Sequence, residues 1–84
     1  MINKNILIKK IIYRSSHRGT KEMDLLLGKF VNKYVYTFNK SELNDLNLLL
    51  NIDDEVLHKW YLNQASENLV PINKVSKKLK RFKL

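Results

Sequence analysis

YRSSHRGTKEMDLLLGKF, residues 13–30, changes character halfway along. Its first residues close one apolar helical pattern and its last residues open another. Between them lies Gly19, one of only two glycines in the chain. The corner SHRGT therefore predicts a sharp turn joining two helices. Gly19 is expected to take the left-handed conformation that ends the first helix. Thr20 or Gly19 is expected to cap the second. Glu22 and Asp24 then fall in its first turn, where the helix dipole favours acids.

Working outward, apolar residues recur at helical spacing almost everywhere, and no stretch alternates with period two. The first helix is expected over about residues 3–15, with Ile8, Ile11 and Ile12 on its apolar side. The second is expected over about residues 20–38. Met23, Leu26, Leu27, Phe30, Val31, Tyr34, Val35 and Phe38 give it one wide apolar face. A third helix is expected to start at Ser41 as its cap, bury Leu43, Leu46, Leu49 and Leu50, and stop at Asn51. A fourth is expected to start near Asp53 and carry Val56, Leu57, Trp60 and Tyr61. Residues 65–70 read as a connector. Pro71 suits the first turn of a last helix lined by Ile72, Val75, Leu79 and Phe82.

These elements predict an all-α fold, a compact bundle of about five short helices forming a single domain over 1–84. Leu26, Leu27, Phe30, Leu46, Leu50, Leu57 and Trp60 are expected in its core. A chain of 84 residues buries only about 60–65% of its unfolded surface, which leaves little room for a large internal cavity.

Composition excludes several classes of function. Cysteine is absent, so there is neither a disulfide framework nor a thiolate metal site. No segment approaches the roughly 20 apolar residues that span a membrane. The opening MINKNILIKKIIY is broken by Lys9 and Lys10 and lacks a small-residue cleavage site, so it is expected to belong to the mature protein. Only His17 and His58 carry imidazoles, and no glycine-rich phosphate loop is present. Acid–base catalysis is poorly supplied, and no bound metal is expected.

The net charge of +8 is unevenly placed. Residues 1–70 contain ten Lys and Arg against eight Asp and Glu. Residues 71–84 contain Lys74, Lys77, Lys78, Lys80, Arg81 and Lys83 and no acid. The body is nearly neutral and the tail basic. Such a tail is either a solvated face with a docked apolar stripe or a contact for nucleic acid or membrane.

The corner itself satisfies ordinary turn chemistry. It also places Arg18 where it is expected to be exposed, on the same side as Glu22. A bare glycine backbone between two charges lets a partner chain approach closely.

R-G-x-x-E-x-D followed by L-L resembles the signature of the succinate dehydrogenase assembly factors, the small flavinator proteins of bacteria and mitochondria. FNKSELNDLNLLLNIDDEVLHKWYLN, residues 38–63, resembles the following part of that family. Together the likeness spans roughly residues 10–71. Thr20 stands where the family commonly has an apolar residue, and His17 where a basic one is common. The tail after Pro71 has no evident family counterpart.

The resemblance implies an assembly factor that is not itself an enzyme. It would bind the flavoprotein subunit of succinate dehydrogenase and, as in some bacteria, that of fumarate reductase. It would promote covalent attachment of FAD to a histidine of that subunit. Arg18, Gly19 and Glu22 would meet the partner, and Asp24 and His17 would continue the same surface. FAD would be attached to the partner, with no cofactor held tightly here. A monomer is expected, and the resemblance implies a place in the cytoplasm of a bacterium or, for eukaryotic relatives, in the mitochondrial matrix. No nucleic acid is expected as a partner on this reading. The alternative from charge alone is a small basic helical nucleic-acid-binding domain using the tail with Lys9, Lys10, Arg14 and Arg18.

Overall fold

Helices in this chain begin where a polar side chain can take up amides that the first turn leaves free. The computed structural model describes residues 3–64 and 69–83. Helix α1 spans Lys4–Ser15, and the Asn3 side chain accepts the Ile6 N–H at 2.9 Å. Helix α2 spans Lys21–Tyr34, and Thr20 Oγ1 accepts the Met23 N–H at 3.3 Å. Helix α3 spans Lys40–Leu50, α4 spans Asp54–Tyr61 and α5 spans Lys74–Arg81.

Two starts differ from expectation for the same reason. The cap of α3 is Asn39 rather than Ser41. Asn39 Oδ1 accepts the Glu42 N–H at 2.8 Å, and Glu42 Oε1 accepts the Asn39 N–H at 3.0 Å. This reciprocal pair satisfies two amides where Ser41 would satisfy one. Asn73 and Ser76 form the same pair at the start of α5, both bonds at 2.9 Å. Pro71 therefore precedes the helix rather than entering its first turn. Ile72, expected to line the core, is 74% exposed because it too precedes the helix.

Helix ends follow equally local causes. The second helix does not reach Phe38: α2 closes at Tyr34 and continues as a 3₁₀ turn over Val35–Thr37. Thr37 Oγ1 donates to the Tyr34 carbonyl at 2.7 Å, and β-branched Val35 and Thr37 weaken the helix there. Asn51 does stop α3. Helix α4 ends through Asn63, which takes the left-handed conformation at φ 60°. Its N–H donates to the Trp60 carbonyl at 3.1 Å, and the Gln64 N–H to Lys59 at 2.8 Å, the paired closure of a Schellman motif.

Helix α1 packs on α2 and α3, and α3 packs on α5. Leu27, Phe30, Leu43, Leu46, Leu57 and Leu79 are fully buried between them. The Cα radius of gyration is 12.0 Å, the value of about 12 Å that a compact chain of this length should have. Trp60 departs from the expected core list. It is half-buried near the end of α4, with the Lys80 ammonium 4.5 Å from its ring centroid. Lys80 also donates to the Trp60 carbonyl, and Tyr61 to the Phe82 carbonyl, so α5 closes over the end of α4. The connector expected over residues 65–70 lies largely outside the described residues.

Candidate functional site

The α1–α2 corner is built against the turn between α3 and α4. Arg18 points inward, with its side chain only 8% exposed. Its Nε donates to Asp54 Oδ1 at 2.7 Å, and Nη2 lies 2.5 Å from the same oxygen. Nη1 donates to the Leu50 carbonyl at 2.6 Å and Nη2 to the Ile52 carbonyl at 3.1 Å. The Leu50 carbonyl is at the end of α3, where the helix leaves its last C=O groups without partners, and the Ile52 carbonyl lies in the turn that follows. One guanidinium thus neutralises the first residue of α4 and satisfies the end of α3. The expectation that Arg18 is an exposed corner charge is corrected: five N–H donors and buried acceptors draw it inside.

Asp54 completes the clamp from the other side. Its Oδ2 accepts the Gly19 N–H at 2.5 Å and the Thr20 N–H at 3.2 Å. This explains Gly19 differently from expectation. Among the described residues no glycine has positive φ, and α1 is closed by Ser16, whose N–H bonds to the Tyr13 carbonyl. A Cβ on Gly19 would lie 3.3 Å from Asp54 Oδ2. Glycine stands here because a carboxylate comes close, not because the backbone is left-handed.

Arg14 strengthens the same junction by donating to the Asn51 side chain. His17 and Glu22 remain on the outside. The His17 ring stacks on Tyr13 at 3.9 Å between centroids, and Nδ1 lies 2.8 Å from the Tyr13 carbonyl. A carbonyl only accepts, so Nδ1 carries the proton. Asp24 is half-buried in the first turn of α2, and its Oδ1 is buried with no hydrogen-bond donor among the described residues. Asp53 and Glu55 are exposed beside the corner. A shallow depression runs over His17, Arg18, Gly19, Thr20 and Asp53.

The five residues singled out in sequence thus share one corner, but in different roles. Arg18 and Gly19 set its shape through Asp54, Glu22 and His17 face outward, and Asp24 lies on the adjoining flank. Sequence reasoning missed Asp54. The available signal was the doubled acid at residues 53 and 54, where one suffices to begin a helix. Among the described residues, no group of three or more His, Asp or Glu could hold a metal ion. No helix among them is long and apolar enough to cross a membrane.

Comparison with known proteins gives a consistent picture. Residues 9–83 match the family described as the flavinator of succinate dehydrogenase. The match includes α5, so the expectation that the basic tail lacks a family counterpart is overturned. The mitochondrial succinate dehydrogenase assembly factor 2 of Dictyostelium discoideum is 42% identical over 59 residues, covering 70% of this chain and 42% of that protein. Its Arabidopsis thaliana counterpart is 36% identical over 62 residues, covering 74% and 33%. The FAD assembly factor SdhE of Acetobacter pasteurianus is 32% identical over 74 residues, covering 88% and 65%. The matched part spans between one third and two thirds of the length of these relatives.

Proposed function

Because this chain belongs to the family of succinate dehydrogenase flavinators, we propose that it binds the flavoprotein subunit of succinate dehydrogenase and promotes covalent attachment of FAD to it. The match over residues 9–83 carries this reading, since it covers the corner, the second half of α1 and all of α2 to α5. The name FAD assembly factor, borne by the Acetobacter relative, supports flavin attachment as the step served.

The corner supplies shape rather than reactive groups. Its one arginine is committed to Asp54, and its outward groups are Glu22, His17 and the bare backbone at Gly19. A protein of this kind helps a reaction by favouring one conformation of its partner. The bond between FAD and the partner's histidine then forms within the flavoprotein. Glu22, His17 and the Gly19 backbone meet the partner directly, and Asp24 extends the contact. Arg18 is a positioning residue that holds the corner from behind.

Two measurements test this. Tagged protein purified from its own cells should bring the flavoprotein subunit with it. Covalent flavin fluorescence on that subunit should fall when the gene is deleted and return with the wild-type copy. Normal covalent flavin in the deletion strain would overturn the reading.

A further inference from the structure

Gly19 and Thr20 both turn their N–H groups to one oxygen of the buried Asp54, at 2.5 and 3.2 Å. The peptide bonds of the described residues are all trans. In a trans peptide the N–H and the preceding C=O point in opposite directions. Two inward amides therefore fix two carbonyls, those of Arg18 and Gly19, facing away from Asp54. The Asp54 side chain is only 10% exposed, whereas Gly19 is exposed, so that direction leads to solvent. Helix α2 makes no use of these oxygens. The Met23 N–H goes to Thr20 Oγ1 and the Asp24 N–H to the Thr20 carbonyl. Among the described residues, no backbone N–H donates to the carbonyl of Arg18 or Gly19.

The groups around these carbonyls are of the same kind. His17 carries its proton on Nδ1, so Nε2 of the neutral ring offers a further lone pair. Asp53 and Glu55 are exposed in the same depression. Asp53 starts α4 without using its side chain as a cap. Glu55 pairs with the exposed Lys59 at 3.3 Å, a contact that water weakens. Among the described residues the charged lining of the depression is Arg18 against Asp53, Asp54 and Glu55. Arg18 is already committed to Asp54. In a chain of net charge +8, the corner thus presents lone pairs and carboxylates.

We infer that this depression receives a basic side chain, arginine or lysine, of the bound flavoprotein. Its N–H groups bond to the carbonyls of Arg18 and Gly19, and its charge faces Asp53 and Glu55. The inference rests on the function proposed above and adds the chemistry of what the corner meets. Carbonyl oxygens and carboxylates only accept, and both repel an anion, which excludes an acidic segment, a phosphate chain or an anionic membrane surface here. One guanidinium or ammonium brings several donors to adjacent acceptors, whereas a backbone amide brings a single one. Glycine leaves the two carbonyls accessible because no side chain stands between them. Arg18 and Gly19 thereby reach the partner through their backbone, and the Arg18 side chain holds that backbone in place.

The test uses full-length protein and the purified flavoprotein subunit. Asp53→Asn combined with Glu55→Gln removes both outer charges and leaves the Arg18–Asp54 clamp intact. This variant should keep the helical circular dichroism of wild type. It should lose affinity for the flavoprotein by about threefold or more at low salt, with the loss shrinking as salt is raised. Equal or tighter binding by the folded variant overturns the inference, because removing two acids from a basic chain favours any anionic occupant. A structure of the complex should place an arginine or lysine nitrogen of the flavoprotein within about 3.2 Å of the Arg18 or Gly19 carbonyl oxygen. Any other group in that place overturns the inference and leaves the proposed function standing. Failure of wild type to capture the flavoprotein at any salt concentration overturns both.

Discussion

Asp54 divides its carboxylate between two jobs: one oxygen takes the Arg18 guanidinium, and the other takes the amides of Gly19 and Thr20. The two residues are 36 positions apart in sequence and their side chains are 8% and 10% exposed. A charge pair this sheltered behaves unlike a surface pair. Its removal in halves is costly, because the remaining charge stays buried.

Arg18→Ala should therefore destabilise the protein by about 2–4 kcal/mol, below the full cost of an orphaned charge because two amides still serve Asp54. Glu22→Ala, which removes an exposed charge, should change stability by under about 0.5 kcal/mol. In a domain of this size the first change lowers the melting temperature by roughly 10 °C or more, and the second by a few degrees at most. Equal melting temperatures for the two variants would show that the Arg18 clamp contributes nothing.

Arg18 and Asp54 should also fail to act independently. The double variant Arg18→Ala/Asp54→Ala should be more stable than the sum of the single losses predicts, with a coupling of about 1–3 kcal/mol. Urea unfolding of the four proteins in the cycle measures this. Strict additivity would mean that the contact seen here is not formed in solution.

Gly19→Ala tests a different point. The backbone there is not left-handed, so the cost is the 3.3 Å approach of a new Cβ to Asp54 Oδ2. The expected loss is about 1 kcal/mol, at the low end for overpacking, since a carboxylate can shift slightly. Combining Gly19→Ala with Asp54→Ala should abolish that increment. Persistence of the full loss in the Asp54→Ala background would point to the backbone instead.

Asn63 is where the left-handed backbone does occur. Asn63→Gly should leave stability equal or raise it, because glycine takes φ near 60° without steric cost. Asn63→Ala should lower it by about 1 kcal/mol. Melting curves of the pair suffice, and the reverse order would exclude this closure of α4.

The basic tail is part of the folded core. Val75 and Leu79 lie in the core, and Ser76 is buried beside them. Removing residues 73–84 should abolish cooperative unfolding in circular dichroism melts, and Leu79→Ala alone should cost about 2–5 kcal/mol. A truncated chain with an unchanged melting temperature would contradict the packing of α5 on α3.

Periodicity made the helices legible because each buries one continuous apolar stripe, and Leu27, Phe30, Leu46 and Leu57 sit where that stripe puts them. Caps were legible when one side chain decides them, as at Thr20, and less so when two cooperate, as at Asn39 and Glu42. Trp60 was misplaced because apolar spacing cannot tell the middle of a helix face from an end covered by Lys80. The corner charges were found, but the inward turn of Arg18 was not. Its direction is dictated by acceptors 32 to 36 residues away, and no local pattern registers them.

That distance gives the corner a property its residues lack. The conformation of Arg18 to Thr20 is held by Leu50, Ile52 and Asp54, so it is completed only once the second half of the chain has docked. A synthetic peptide of the same letters would carry the message without its grammar. Any partner that reads the corner by its shape is thereby also checking that the chain has finished folding.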